Sequence, residues 1–461
     1  MDKVVVINLV ALSSKLLGDA TPYLKEWSSR KKLVPVRPAF PAVTCTAQCN
    51  YLTGKTPSEH GIVGNGWYSH DDCEIKFWKQ SNKLVQSEKI WEAAKKIDPN
   101  FTCGNMFWWY NMYSSADISV TPRPQYHADG KKLPDIYSNP SSLREYLQKK
   151  LGTFPLFNFW GPNTSIKSSN WIAEASMIVD GMFNPTLTLI YLPHLDYCLQ
   201  QYGPEDSRSK ANLREIDELC RRLITFYEKR GAKVNIVSEY SIMNVSNPIH
   251  INRILREKGY LKLREESGRE LLDAGASKAF AVADHQIAHV YINDSSIKED
   301  VKKLLTSFKG IDVVLSELDK ELLNIDHERA GDLIAVSDKD SWFSYYYWLD
   351  NVKAPDFART VEIHKKPGYD PLELFLNPEI KFIKTRAAFK LLKKKMGFRT
   401  LMDFIPLDAT LIKGSHGRAP DSWDEWPLLI TEGDYKCPDF IESTGVYRVL
   451  LDQVFSEVPY L

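Results

Sequence analysis

The chain has 461 residues, and its 59 Lys and Arg balance 59 Asp and Glu. That length is too great for one ordinary core and predicts one large α/β body with a smaller inserted subdomain. Overall neutrality argues against a nucleic acid polymer or a membrane as partner. The seven Cys are scattered and odd in number, with no zinc-finger or disulfide spacing; Cys45 and Cys49, four residues apart, read as packing.

The chain enters an apolar run at once, Val4 to Val10. It is too short to span a membrane and has neither a basic leader nor a cleavage site, so the expected location is cytoplasmic. Short apolar runs at Lys3–Ile7, Thr186–Leu192, Lys233–Val237 and Leu333–Val336 predict strands buried on both faces, as in a parallel sheet. Helices are predicted between them. Thr21-Pro22 starts one, Ser87 opens a second, and Ser142 with Glu145 forms a capping box for a third. Glu205 to Arg230 and Ile249 to Lys258 are two more, each stopped by a Gly. The alternation implies a doubly wound sheet. Residues 261–332 change character, with an alternating run at Ala288–Ile292 and amphipathic runs at Val301–Phe308 and Leu315–Leu323. They are expected to form the inserted α+β subdomain, with 1–260 and 333–461 forming the main body.

Three of the apolar runs end in polar groups: Asn8, Asp196, and Glu239 with Tyr240. Ligands of open α/β sheets bind beyond the carboxyl ends of the strands, so these residues are candidates to converge. Thr44 precedes a possible helix at Cys45–Leu52, where a hydroxyl would lie in the positive end of the helix dipole. The plainer alternative is a helix-capping Thr.

The run Arg37, Pro38, Ala39, Phe40, Pro41, followed by Thr44, by Leu52-Thr53-Gly54 and by His60 to Asn65, resembles the nucleophile segment of the type I phosphodiesterase/nucleotide pyrophosphatase family of the alkaline phosphatase superfamily. The resemblance extends to Pro193–Pro204, Asn235–Tyr240 and Gly414–Gly417. It implies an alkaline phosphatase-like fold, doubly wound on a mostly parallel sheet, and a Thr nucleophile acting between metal ions. Carried over residue by residue, it implies a first metal site at Asp196, Gln200 and His416, with Gln200 in place of a His. It implies a second at Asn8, Thr44, Glu239 and Tyr240, where Asn8 replaces an Asp and Glu239-Tyr240 an Asp-His pair. Ala47 stands where the family has a phosphate-holding Asn.

These replacements remove one negative charge and two imidazoles, which zinc favours, and leave neutral oxygens that suit harder cations. The expected cofactor is therefore a divalent metal, zinc or a harder cation such as magnesium or manganese, with at most one site well occupied. Further polar concentrations offer substitute ligands: Asp284 and His285, then Asp356 and His364. Arg418, beside the His416 run, is a candidate to neutralise substrate charge. The aromatic run Trp342 to Trp348, with Trp108 and Trp109, either lines a pocket for a planar substrate or packs in a core.

The expected function is hydrolysis of a phosphodiester, pyrophosphate or phosphomonoester bond in a small molecule, with Thr44 as nucleophile and Glu239 as a base or ligand. Two alternatives stay open: a metal-depleted protein that binds a phosphorylated ligand or partner, and an enzyme that passes a phosphoryl group to another acceptor.

Overall fold

The computed structural model describes residues 1–436 and 438–456, so Cys437 lies outside the described residues. Thirteen strands matter for the site: β1 Val4–Leu9, β2 Lys32–Arg37, β3 Cys103–Met106, β4 Ile118–Pro122, β5 Ile136–Asn139, β6 Leu187–Leu192, β7 Lys233–Val237, β8 Ala279–Asp284, β9 Ile287–Ile292, β10 Ile311–Leu315, β11 Leu333–Ser337, β12 Leu428–Thr431 and β13 Ile441–Glu442. Nine of them form one sheet in the order β13-β2-β12-β7-β1-β6-β3-β4-β5. The centre is parallel, β7-β1-β6-β3-β4, and antiparallel pairs flank it. Val4 to Ile7 are fully buried, as expected of a central strand covered on both faces. Three helices matter for the site, α1 Thr44–Thr53, α2 His194–Tyr202 and α3 Ser207–Glu228; α3 packs on β7 of the sheet, and α2 packs on α3. The Asp206 side chain caps α3 by accepting from Arg208 N. The expected α/β class and mostly parallel sheet are what the chain adopts.

A second, four-stranded sheet runs β8-β9-β11-β10 and is antiparallel throughout. It organises a second core that includes the aromatic run Trp342 to Trp348. That run and Trp108 are buried, so packing accounts for them. Leu333–Val336 is a strand, but an antiparallel one in this second sheet: an apolar run shows burial on both faces and says nothing of its partners' direction. The boundary expected at 332/333 thus falls at the start of a strand that belongs with 261–332.

Candidate functional site

The geometry begins at three adjacent parallel strands. In register, Asn8 on β1 lies between Val237 of β7 and Tyr191 of β6. The carboxyl ends of these strands therefore deliver Asn8, Glu239 with Tyr240, and, in the first turn of α2, Asp196 to one place. Thr44 is the first residue of α1, and Val43 takes the cap position, so Thr44 does not serve as the cap. The His416 segment reaches the site because Gly414 passes close to α2: a Cβ there would stand 2.2 Å from the Leu199 carbonyl oxygen. His416 Nδ1 is fixed by the Ala42 carbonyl at 2.8 Å, just before Thr44.

The Tyr240 hydroxyl links the two halves. It donates to Asp196 Oδ1 at 3.0 Å and shares a hydrogen bond with Thr44 Oγ1 at 3.2 Å. Gln200 Nε2 donates to Asp196 Oδ2 at 2.8 Å, and Tyr369 donates its hydroxyl to Gln200 Oε1 at 2.8 Å. His416 Nε2 lies 3.8 Å from Asp196 Oδ1, and its ring stacks on Tyr240 with centroids 3.5 Å apart and planes 6° from parallel. Glu239 Oε1 accepts from Asn8 at 2.6 Å and from Gln48 at 2.5 Å. Where the resemblance implies metal ligands, the side chains present bond to one another.

Of the substitute candidates, Asp284 and His285 join this cluster. They lie at the β8–β9 hairpin, and the His285 ring sits 3.7 Å from the rings of both His416 and Tyr369. Asp284 takes hydrogen bonds from Asn65 N at 2.8 Å and Asn65 Nδ2 at 3.0 Å, while Asn65 Oδ1 accepts from Cys45 N at 3.1 Å in the first turn of α1. The other two, and the substrate-binding candidate Arg418, do not join it. Asp356 is exposed on the turn Asp356–Arg359. His364 Nδ1 bonds the Phe77 carbonyl at 3.2 Å. The Arg418 guanidinium is committed to Asp312, to Asp421 at 2.9 Å and to the Ser337 carbonyl at 3.3 Å. Gln48, Asn65 and Tyr369 are site residues that sequence reasoning missed. Asn65 and Gln48 lay inside or beside the recognised motif; Tyr369, far downstream, carried no signal.

Burial dominates the electrostatics. It pushes the Glu239 carboxyl up to about 8 against the hydrogen bonds of Gln48 and Asn8, and the Asp196 carboxyl up to about 7 against those of Tyr240 and Gln200. Burial also holds the imidazoles of His285 and His416 well below their ordinary value, so both are neutral. Among the described residues no Lys or Arg ion-pairs with Asp196 or Glu239. Four buried polar atoms lack a partner here: Asn8 Oδ1, Glu239 Oε2, His285 Nε2 and His416 Nε2. Uncompensated carboxylates beside unsatisfied lone pairs fit a divalent cation. Among the described residues, however, no three His, Cys, Asp or Glu side chains converge as a ligand set. Amide and hydroxyl oxygens would have to complete the shell, as hard cations accept.

A cleft of about 870 Å³ lies beside this cluster, lined by Trp67, Trp78, Tyr113 and Tyr126 together with Lys79 and Arg123. The Trp78 ring is 4.8 Å from Trp109 and 6.1 Å from Tyr369. Trp109 N in turn donates to Gln48 Oε1 at 2.7 Å, so contacts through Trp78 and Trp109 link the cleft to the Gln48 side chain that bonds Glu239.

Comparison with known proteins identifies the family and the fold. The model of the type I phosphodiesterase/nucleotide pyrophosphatase family matches residues 4–370. An uncharacterized pyrophosphatase/phosphodiesterase of Schizosaccharomyces pombe is 23% identical over 238 residues, 51% of this chain and 43% of that protein, so the chain matches less than half the length of this curated relative. Murine ectonucleotide pyrophosphatase/phosphodiesterase 5, an inactive variant in complex with AMP, superposes with a TM-score of 0.60 at 13% identity over 100% of this chain and 97% of its own. Phosphonoacetate hydrolase from Sinorhizobium meliloti, in complex with phosphonoformate, gives a TM-score of 0.62 at 13% identity over 98% and 96%. At such identities these two establish the fold, while the family model spans most of the sequence: the chain belongs to the type I phosphodiesterase/nucleotide pyrophosphatase family.

Proposed function

We propose that the protein hydrolyses a phosphodiester, pyrophosphate or phosphomonoester bond of a small molecule, with Thr44 as the nucleophile. The observation that carries this reading is the chain of hydrogen bonds from Thr44 through the Tyr240 hydroxyl to Asp196. As Thr44 Oγ1 attacks phosphorus in line, its proton passes to the Tyr240 oxygen while Tyr240 gives its own proton to Asp196. The bond from phosphorus to the leaving oxygen breaks, and a phosphothreonine remains for water to hydrolyse. The N-terminal dipole of α1 favours the negative charge gathering there. Asn8, Glu239 and Thr44 on one side, and Asp196, Gln200 and His416 on the other, are the residues that would hold a divalent cation, which supplies Lewis-acid stabilisation of the phosphoryl oxygens. The AMP and phosphonoformate of the two compared structures are both phosphorus oxyanions, in keeping with a phosphoryl centre as the target.

One observation favours a binding protein instead: Thr44 is only 4% exposed, with the Tyr240 hydroxyl lying against its Oγ1. Turnover of bis(4-nitrophenyl) phosphate with added Mg²⁺, Mn²⁺ or Zn²⁺ separates the readings. Wild type is expected to turn over and Thr44→Ala to be inactive with unchanged circular dichroism; equal turnover in the two removes Thr44 from the mechanism, and none in either favours the binding protein.

A further inference from the structure

Between Asn377 and Phe404 the chain makes an excursion whose ends meet, Asn377 N donating to the Phe404 carbonyl at 2.7 Å. It carries the helix α4, Ile383–Lys395. From Ile380 to Met402 there are eight Lys and Arg and no Asp or Glu, in a chain whose formal net charge is zero. At 3.6 residues per turn, Ile383, Ala387, Lys390 and Lys394 share one stripe. These are the partly buried positions of the helix, so this stripe faces the protein. Lys390 on it pairs with Asp403 and lies 5.1 Å over the Phe404 ring.

The opposite stripe is Thr385, Ala388, Phe389, Leu392 and Met396. It is apolar and faces outward, with Phe389 56%, Leu392 52% and Met396 59% exposed. A surface helix ordinarily turns its apolar stripe to the core and its charges to water; α4 does the reverse. Lys384 and Lys395 border the stripe on one edge, Arg386 and Lys393 on the other. Phe382 and Phe398, 82% and 62% exposed, continue it beyond both ends of the helix.

We propose that this face docks the protein on an anionic lipid surface, with α4 lying in the headgroup plane and its apolar stripe entering the acyl boundary. The occupant follows from the pairing of the two features. A nucleic acid would use the cations but leave the exposed stripe uncovered. A second copy would bring its own acid-free basic segment against the first, like charge on like. An anionic membrane satisfies both, taking the aromatic and aliphatic side chains below the headgroups and the flanking cations among them. Whole-chain neutrality conceals the segment because the compensating acids lie elsewhere. The inference stands independently of the catalytic reading.

The test is co-sedimentation of the full-length protein with phosphatidylcholine vesicles, with and without phosphatidylserine. Binding is expected only with phosphatidylserine and is expected to weaken with salt. Phe389→Ser/Leu392→Ser/Met396→Ser should lower the partition coefficient by at least about tenfold. Lys384→Gln, Lys393→Gln and Lys395→Gln should each cost about fivefold. All six positions are at the surface, so circular dichroism should match wild type, and an internal deletion of 380–402 serves as the second variant. Binding that ignores phosphatidylserine, or that survives both the triple substitution and the deletion, overturns the proposal. So does failure to bind vesicles, whether accompanied by binding to a short DNA duplex or by a dimer that the triple substitution dissolves.

Discussion

Tyr240→Phe is the sharpest test of the hydrogen-bonded nucleophile. The substitution removes one oxygen and keeps the ring that stacks on His416 at 3.5 Å. Two hydrogen bonds go with it, to Thr44 at 3.2 Å and to Asp196 at 3.0 Å. Asp196 Oδ2 keeps Gln200, so one carboxylate oxygen is orphaned, at a stability cost of about 1–3 kcal/mol. The Tyr240 bond opposes the effect of burial on Asp196, so its carboxyl should move further up. If Thr44 loses its proton through Tyr240, kcat should fall by about 10²–10⁴, the usual worth of positioned proton transfer. A purely structural Tyr240 would lower the melting temperature without that loss. The assay is kcat on bis(4-nitrophenyl) phosphate at saturating metal, with thermal melts in parallel. A Tyr240→Phe enzyme within twofold of wild-type kcat, while Thr44→Ala is dead, would refute the relay and leave Thr44 activation to another group.

Metal-free protein should lose thermal stability as pH rises. The folded pKa of Glu239 is raised to about 8 from 4.5, and that of Asp196 to about 7 from 3.8, so the fold holds these protons more tightly than the unfolded chain. Their contribution is complete below the unfolded values and is lost as pH rises through 7 and 8. Melts after chelation should fall from pH 5 to pH 8; Glu239→Gln should flatten the trend, Mn²⁺ at pH 8 should reverse it, and a flat wild-type profile would contradict the assigned burial. Lys366→Met should be among the most damaging single changes, because Lys366 neutralises Asp370 at 2.6 Å and Glu373 at 2.7 Å inside the protein. The expected loss is about 3–5 kcal/mol, whereas Lys55→Met, which breaks an exposed pair with Glu59, should cost about 0–1 kcal/mol; comparable melts for the two variants would show the buried triad to be dispensable. Arg123→Ala/Lys79→Ala in the cleft should raise KM for a substrate with an anionic leaving group and leave kcat near wild type; a matched fall in kcat would place these cations at the reacting phosphorus instead.

The centre of the site was legible because it sits at strand ends. Asn8, Asp196 and Glu239 each follow an apolar run, and adjacent parallel strands in register must deliver their carboxyl ends together. Thr44 and His416 came from motif resemblance. What sequence reasoning could not supply was the choice among polar residues of unassigned loops. Asp284 and His285 qualify because β8 and β9 form a hairpin against the site, whereas Asp356, His364 and Arg418 looked equally polar and lie elsewhere. Gln48 was hidden by its place in a helix whose every residue is buried. The orientation of Leu333–Val336 was out of reach for a related reason: composition reports burial, and pairing is decided by residues distant in sequence.

The Asp284–Asn65–Cys45 chain of hydrogen bonds has a consequence for how the protein fails. Asn65 is held by the second sheet, and it in turn holds the first turn of the helix that presents Thr44. His285, from the same hairpin, lies against His416. The constellation is therefore assembled across a seam between two cores and belongs to neither alone. Under rising denaturant, slippage along that seam would scatter these side chains while most strands and helices persist. Such a molecule would fall silent as a catalyst well before it looked unfolded by circular dichroism.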